Sequence, residues 1–179
     1  MIAGGATLKR RFTVVEGLTN GIVLAFLADA DGMEGAVPGA IGEGTLLPET
    51  YQYEWGDTRT AMVARMQQAM DATTATVWAV RAPGLPLESP DELRVLASIV
   101  ERETSLPEER PHIAGVFVNR LRVGMRLQSD PTVAYALLLR GEEARELTDA
   151  DIALDHPYNT YQIAGLPPGP IANPGLASL

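Results

Sequence analysis

Cysteine is absent from this chain of 179 residues. That excludes a thiol nucleophile, disulfides and thiolate metal sites, while leaving the compartment open. An excess of positive charge is lacking too. The 14 Lys and Arg face 23 Asp and Glu, for a net charge of -9, so a nucleic-acid backbone is not an expected partner. No apolar run approaches the ~20 residues that a membrane helix needs. The opening Met1-Ile2-Ala3-Gly4-Gly5 lacks the charged-then-apolar layout of a secretory signal. With neither signal nor anchor in view, the chain reads as part of a longer protein. Histidine is scarce: His112 and His156 are far apart and neither belongs to a HExxH pattern. No G-x-S-x-G is present, and the glycines of 32–44 do not have the strand-to-helix spacing of a phosphate loop. No metal or cofactor is expected. What remains is acid–base chemistry by carboxylates.

Apolar residues make up 46% of the chain and charged residues 21%, an ordinary balance for a globular protein whose length allows one domain with a sizeable core. Residues 8–15 read as a basic stretch running into a strand, closed by a turn at Glu16-Gly17. Thr19 to Ala30 is apolar enough for a short helix. Gly32 to Gly44 carries five glycines and one proline and reads as a surface loop. Residues 46–53 are a short extended segment. Asp57 is placed to cap a helix from Thr58 to about Asp71, able to continue towards Arg81, with Met62, Met66 and Met70 as core packing. Pro83 to Pro86 breaks the chain.

The central stretch is 89–119. Ser89-Pro90-Asp91-Glu92 has the features of a helix start: a cap, a proline at the first position and an acid three residues on. Leu93, Leu96, Ile99 and Val100 then fall on one face. Glu103 follows Ile99 by four residues, which places it near the middle of that face, with Glu101 on the flank near Arg94. A carboxyl against an apolar surface holds its proton more tightly, and a general acid needs that. The competing reading pairs the acid with an arginine such as Arg120 or Arg126. A second helix starts near Leu106-Pro107, with Ile113, Val116, Phe117 and Leu121 as its buried stripe and Gly124 as its stop. The two form an antiparallel pair. Asp130-Pro131 caps a third helix to Arg140, and 141–150 reads as a solvated acidic loop or a short surface helix. In the tail, Tyr158, Asn159, Tyr161 and Gln162 suit either a sugar-binding edge or a turn held by Asn and Pro. Asn173-Pro174 would cap one more helix, with more protein following. The expected fold is α+β: a helical core on the antiparallel pair, with short strands near the N-terminus, 46–53, 127 and 163.

Several of these stretches together carry a resemblance. The run Ala97 to Thr104, then Glu109-Arg110, Ile113 to Leu121, Gly124 to Val133, Pro157 to Tyr161 and Gly165 to Ile171 are similar to the ordered motifs of the YceG-like (MltG) family of endolytic murein transglycosylases. Val15-Glu16-Gly17 and Pro48 to Tyr51 extend the likeness. It is close from about Leu46 to the end and looser before.

The resemblance implies a lytic transglycosylase. Such an enzyme cuts the MurNAc-GlcNAc β-1,4 bond inside peptidoglycan glycan strands and leaves 1,6-anhydro-MurNAc ends. One Glu protonates the leaving oxygen and then takes the proton of the attacking C6 hydroxyl, so no nucleophilic second carboxylate is demanded. The family's catalytic Glu matches Glu103. Tyr161 matches an active-site position; Asn159, Gln128, Glu101 and Tyr158 are further candidates for substrate contact or support. Residues 1–45 then lead into a catalytic domain, 46–179, cut short at its C-terminus. Family members have a membrane helix, sit at the periplasmic face of the bacterial inner membrane and work beside cell-wall synthases. Two other readings stay open: a glycan-binding fragment without turnover, and a hydrolase using water with Glu101 as second carboxylate.

Overall fold

Ser89 does begin a helix. Its hydroxyl accepts from the Glu92 amide at 3.2 Å, while the Glu92 carboxylate reaches back one residue further than a capping box requires, to the Glu88 amide. In the computed structural model, which describes residues 8–39 and 41–179, this is the third of six helices. The opening residues 1–7, read above for a leader, lie outside the described part. In chain order the elements are β1 (Arg10–Thr13), α1 (Asn20–Ala28), β2 (Thr50–Tyr53), α2 (Arg59–Ala79), α3 (Pro90–Glu103), α4 (Arg110–Arg122), α5 (Asp130–Leu139) and α6 (Asp149–Ile152). β1 and β2 pair antiparallel, with Phe12 opposite Tyr51. The fold is α+β. None of the described helices is long and apolar enough to cross a membrane.

Near 127 and 163 the expected strands do not form. One isolated bridge, Arg126 to Gly165, is all the pairing there. Side-chain bonds to backbone carry that region instead. The helix read from Thr58 runs on unbroken to Ala79, capped by Thr58 and not by Asp57. Its Met62, Met66 and Met70 are buried. No helix begins at Asn173-Pro174: residues 171–175 are buried and pass through the molecule as a strap.

The core has two parts. One joins β1, α1, β2 and the first half of α2 through Phe12, Val23, Leu27, Leu46, Tyr51, Met62 and Met66, so β1 and α1 pack with the residues after 45. The other surrounds α3 with Leu96, Ile99, Val100, Phe117, Leu127, Tyr135 and Ile171. In between, Arg59 holds the turn after α1, donating to the carbonyls of Leu27, Ala28, Ala30, Met33 and Gly35. The Ala28 carbonyl lies in the last turn of α1, where carbonyls lack an intrahelical partner.

α3 and α4 form the antiparallel pair. Arg110, at the start of α4, bonds Glu101 near the end of α3, and Leu121 shares a cleft with Asp91 and Val95. Gly124, at φ +68°, stops α4, a backbone conformation that glycine adopts without strain. α3 also packs on α2 and α5. Helices on three sides explain why Val95 to Glu101 are all buried rather than one stripe.

Candidate active site

That packing reverses the expected environments of the two acids at the end of α3. Glu101 is expected on the flank near Arg94, but α4 and the C-terminal strap cover that flank, and Glu101 is 8% exposed. Its Oε1 accepts from Arg110 Nη2 at 2.8 Å, and its Oε2 from Gly175 N at 3.0 Å and Ser178 Oγ at 2.7 Å. Its ion-pair partner is Arg110, and Arg94 pairs instead with Asp71 and Asp91; Glu103, for which Arg120 or Arg126 is the alternative partner, makes no ion pair among the described residues. Both carboxylate oxygens are committed inside the protein.

Glu103 was expected on the dry face. It follows the buried Ile99 on the correct side of the helix but stands at its last position, beyond the edge of the packed layer, and is exposed. Its Oε1 accepts from Ser129 Oγ at 2.5 Å. No described protein group bonds Oε2.

Three segments meet around this carboxylate: the end of α3, residues 126–130 and the turn at 159–162. Between the buried Leu127 and Ser129, Gln128 projects into solvent with φ at +52°, the one non-glycine residue in the left-handed region among those described. That conformation costs a non-glycine residue roughly 1–2 kcal/mol. The bond from its amide to the Thr160 carbonyl, at 3.1 Å, helps hold it. Strained backbone of this kind clusters at functional sites.

Tyr161 donates its hydroxyl to Asp130 Oδ1 at 2.7 Å. This bond, then burial, pushes the phenol up to about 12, with the charges of Asp130 and Glu103 adding and that of Arg120 opposing. The hydroxyl therefore stays a donor at any physiological pH, within electrostatic reach of Glu103. Arg126 fixes the backbone here through the Tyr161 carbonyl at 2.7 Å, and Arg120 does the same through Leu127.

Asn159 is fully buried. Its amide donates to the carbonyls of Asp151, Ile152 and Leu154, and its Oδ1 accepts from Tyr161 N at 3.0 Å. It builds the turn that presents Tyr161 and touches no ligand surface. Tyr158 is half-buried and packs edge-on against Tyr135, with ring centroids 5.0 Å apart. The structure thus sets Tyr161 within electrostatic reach of Glu103 and Gln128 next to the serine that bonds it, while Glu101 and Asn159 are buried and Tyr158 packs on Tyr135. An apolar cavity of about 230 Å³, lined by Leu18, Ile22, Ala134, Tyr135 and Leu138, opens beside Arg102 and Pro131, without Glu103 in its wall.

Two site residues escape a sequence reading, Ser129 and Asp130. A Ser before Asp-Pro looks like a helix cap, which disguises any other use of its hydroxyl. Here Ser129 is the cap by position but makes no side-chain cap bond. Asp130 lies one residue inside the helix and spends its carboxylate on Tyr161.

Comparison with known proteins gives one consistent answer. The profile of the YceG-like family matches residues 1–179. The endolytic murein transglycosylase of Bacillus subtilis (strain 168) is 37% identical over 137 residues, which are 76% of this chain and 37% of the relative. That of Streptococcus pneumoniae serotype 2 (strain D39 / NCTC 7466) is 36% identical over 140 residues, 76% of this chain and 25% of the relative. A crystal structure described as a yceG-like protein from Listeria monocytogenes matches with a TM-score of 0.71 and 29% identity, covering 94% of this chain and 64% of that one. The chain therefore spans between a quarter and somewhat over a third of these two curated relatives.

Proposed function

This chain belongs to the YceG-like family, and on that premise we propose that it carries the catalytic centre of an endolytic murein transglycosylase with Glu103 as its acid and base. The observation that supports this most is the state of the Glu103 carboxylate. It stands exposed beside a phenol that remains protonated, one oxygen is held by a buried hydroxyl, and the other is free to face a ligand.

The reaction needs one group to act twice. Glu103 first donates a proton to the glycosidic oxygen between MurNAc and GlcNAc as that bond breaks. It then accepts the proton of the C6 hydroxyl of MurNAc as that oxygen bonds to C1 and closes the 1,6-anhydro ring. Atoms balance without water, so a second carboxylate to activate water is not needed. Tyr161 and Gln128 offer hydrogen bonds to the sugars from the same rim. In the whole protein the substrate is the peptidoglycan glycan strand, met at the periplasmic face of the inner membrane beside cell-wall synthases.

Hydrolysis with Glu101 as second carboxylate is disfavoured, because that group is buried and fully bonded. The test is digestion of purified murein by this chain and by Glu103→Gln, with mass analysis of the new ends. Anhydro ends from the wild type and at least a hundredfold fewer from the variant are expected. Saturable binding with no anhydro product from the wild type would leave a glycan-binding fragment in place of an enzyme.

A further inference from the structure

We propose that Ser129 is the positioning residue that decides which oxygen of Glu103 reacts: it holds Oε1 and leaves Oε2 to carry the proton both ways. This rests on the reading of Glu103 given above.

The argument begins with a hydroxyl that does not do its local job. Ser129 precedes α5 as its N-cap, where serine is favoured because its oxygen accepts from an amide of the first turn. No such bond is made. The side chain turns away from the helix and donates to Glu103, which lies 26 residues earlier in the chain. A cap bond typically worth ~1 kcal/mol is forgone, and the group that gains is the one exposed acid of the site that Ser129 reaches.

The surroundings leave the Ser129 hydroxyl free to donate. Ser129, Thr132 and Thr160 are all 0–1% exposed. Thr132 Oγ1 donates its single hydrogen to the Ser129 carbonyl at 2.6 Å. The 2.8 Å contact between the two threonine hydroxyls must then be donated by Thr160. Thr160 Oγ1 in turn accepts from the Ser129 amide at 3.0 Å. Every hydrogen of that network is assigned, and none points at the Ser129 hydroxyl. Among the described residues its only side-chain partner is Glu103.

A hydroxyl suits a carboxyl that must change state. Towards the carboxylate it donates; its lone pairs remain available when the acid is neutral. Ser129 can therefore keep Glu103 in one orientation through both proton transfers. An amide or ammonium donor in its place would favour the charged form alone. Its backbone is fixed on both sides, by Thr160 and Thr132, so the orientation is built in before substrate arrives.

The test compares Ser129→Ala, Ser129→Cys and Ser129→Thr in the 179-residue chain, on purified murein. Cysteine keeps nearly the same volume with a poor donor; threonine keeps the hydroxyl. For Ala and Cys, kcat should fall roughly 10- to 100-fold with KM nearly unchanged, and the melting temperature of the Cys variant should stay close to wild type. Thr should recover activity to within a few-fold. Wild-type kcat in Ala or Cys overturns the proposal. So does a loss that follows the unfolded fraction alone, because Ser129 is then a packing residue. An independent readout is the carboxyl carbon resonance of Glu103, identified by its disappearance in Glu103→Gln. It should move in Ser129→Cys, and an unmoved signal overturns the contact. A wild-type chain that releases no anhydro ends sinks the functional reading, and the resonance still judges the contact.

Discussion

Glu101 and Glu103 stand two residues apart on α3 and face opposite surroundings. Glu101 is buried against Arg110, with Glu16 a second, longer partner of that arginine at 3.3 Å. Removing one member of a buried pair leaves the other charged and poorly solvated, at a cost of about 3–5 kcal/mol. Because Glu16 still neutralises part of Arg110, Glu101→Gln should destabilise by about 3 kcal/mol in denaturant titrations. Anhydro-end release per folded molecule should be kept, the opposite of what a second catalytic carboxylate would show. Helical periodicity predicted these two environments in reverse. Periodicity reports the side of a helix, and it found the side of Glu103 correctly through Ile99. It does not report how far the packed layer extends along the axis, nor that helices on three sides remove the flank on which Glu101 was placed.

At the scale of elements, the glycine-rich loop before β2 is fastened more firmly than its composition suggests. Glu43 accepts from Asn20 N at 2.8 Å and Gly44 N at 3.2 Å. Burial pushes its carboxyl above the ordinary 4.5, and these two amides work the other way. The folded state therefore favours the neutral acid. Its contribution to stability is full below pH 4.5 and is lost as pH rises through the higher folded-state value. Glutamine imitates the neutral acid at every pH. The melting temperature of wild type minus that of Glu43→Gln should thus become more negative from pH 4 to pH 8, and a flat difference would show that Glu43 is not desolvated. Elements themselves were largely legible, because caps, prolines and apolar spacing are local properties. Ser89, Gly124 and the Met row of α2 all behave as the pattern dictates. The strands expected near 127 and 163 failed for a nonlocal reason. Asn159, Arg120 and Arg126 satisfy backbone groups there with side chains, and a ladder is not required.

For the molecule as a whole, the C-terminal strap joins parts that are far apart in sequence. The Ile171 amide donates to Ser98 Oγ at 3.0 Å. Asn173 accepts from Leu46 N at 2.8 Å and donates to Leu18 O and Asn20 Oδ1, while its carbonyl accepts from Gly17 N at 2.9 Å. Gly175 and Ser178 close on Glu101. A chain stopped after Gly169 would open both parts of the core and strand buried polar groups that cost ~1–3 kcal/mol each. It should show no cooperative melting transition by calorimetry; a sharp one would mean the strap is dispensable. The sequence by itself determined most of the helices, the α+β class and the stretch that holds Glu103, because each follows from spacing and backbone preference within a few residues. Only the tertiary structure decided which acid is buried, that Asn159 supports Tyr161 from behind, and that Ser129 turns from its own helix to hold Glu103. Those outcomes depend on contacts between segments dozens of residues apart, and a chain's local pattern does not encode which surfaces its distant parts will cover.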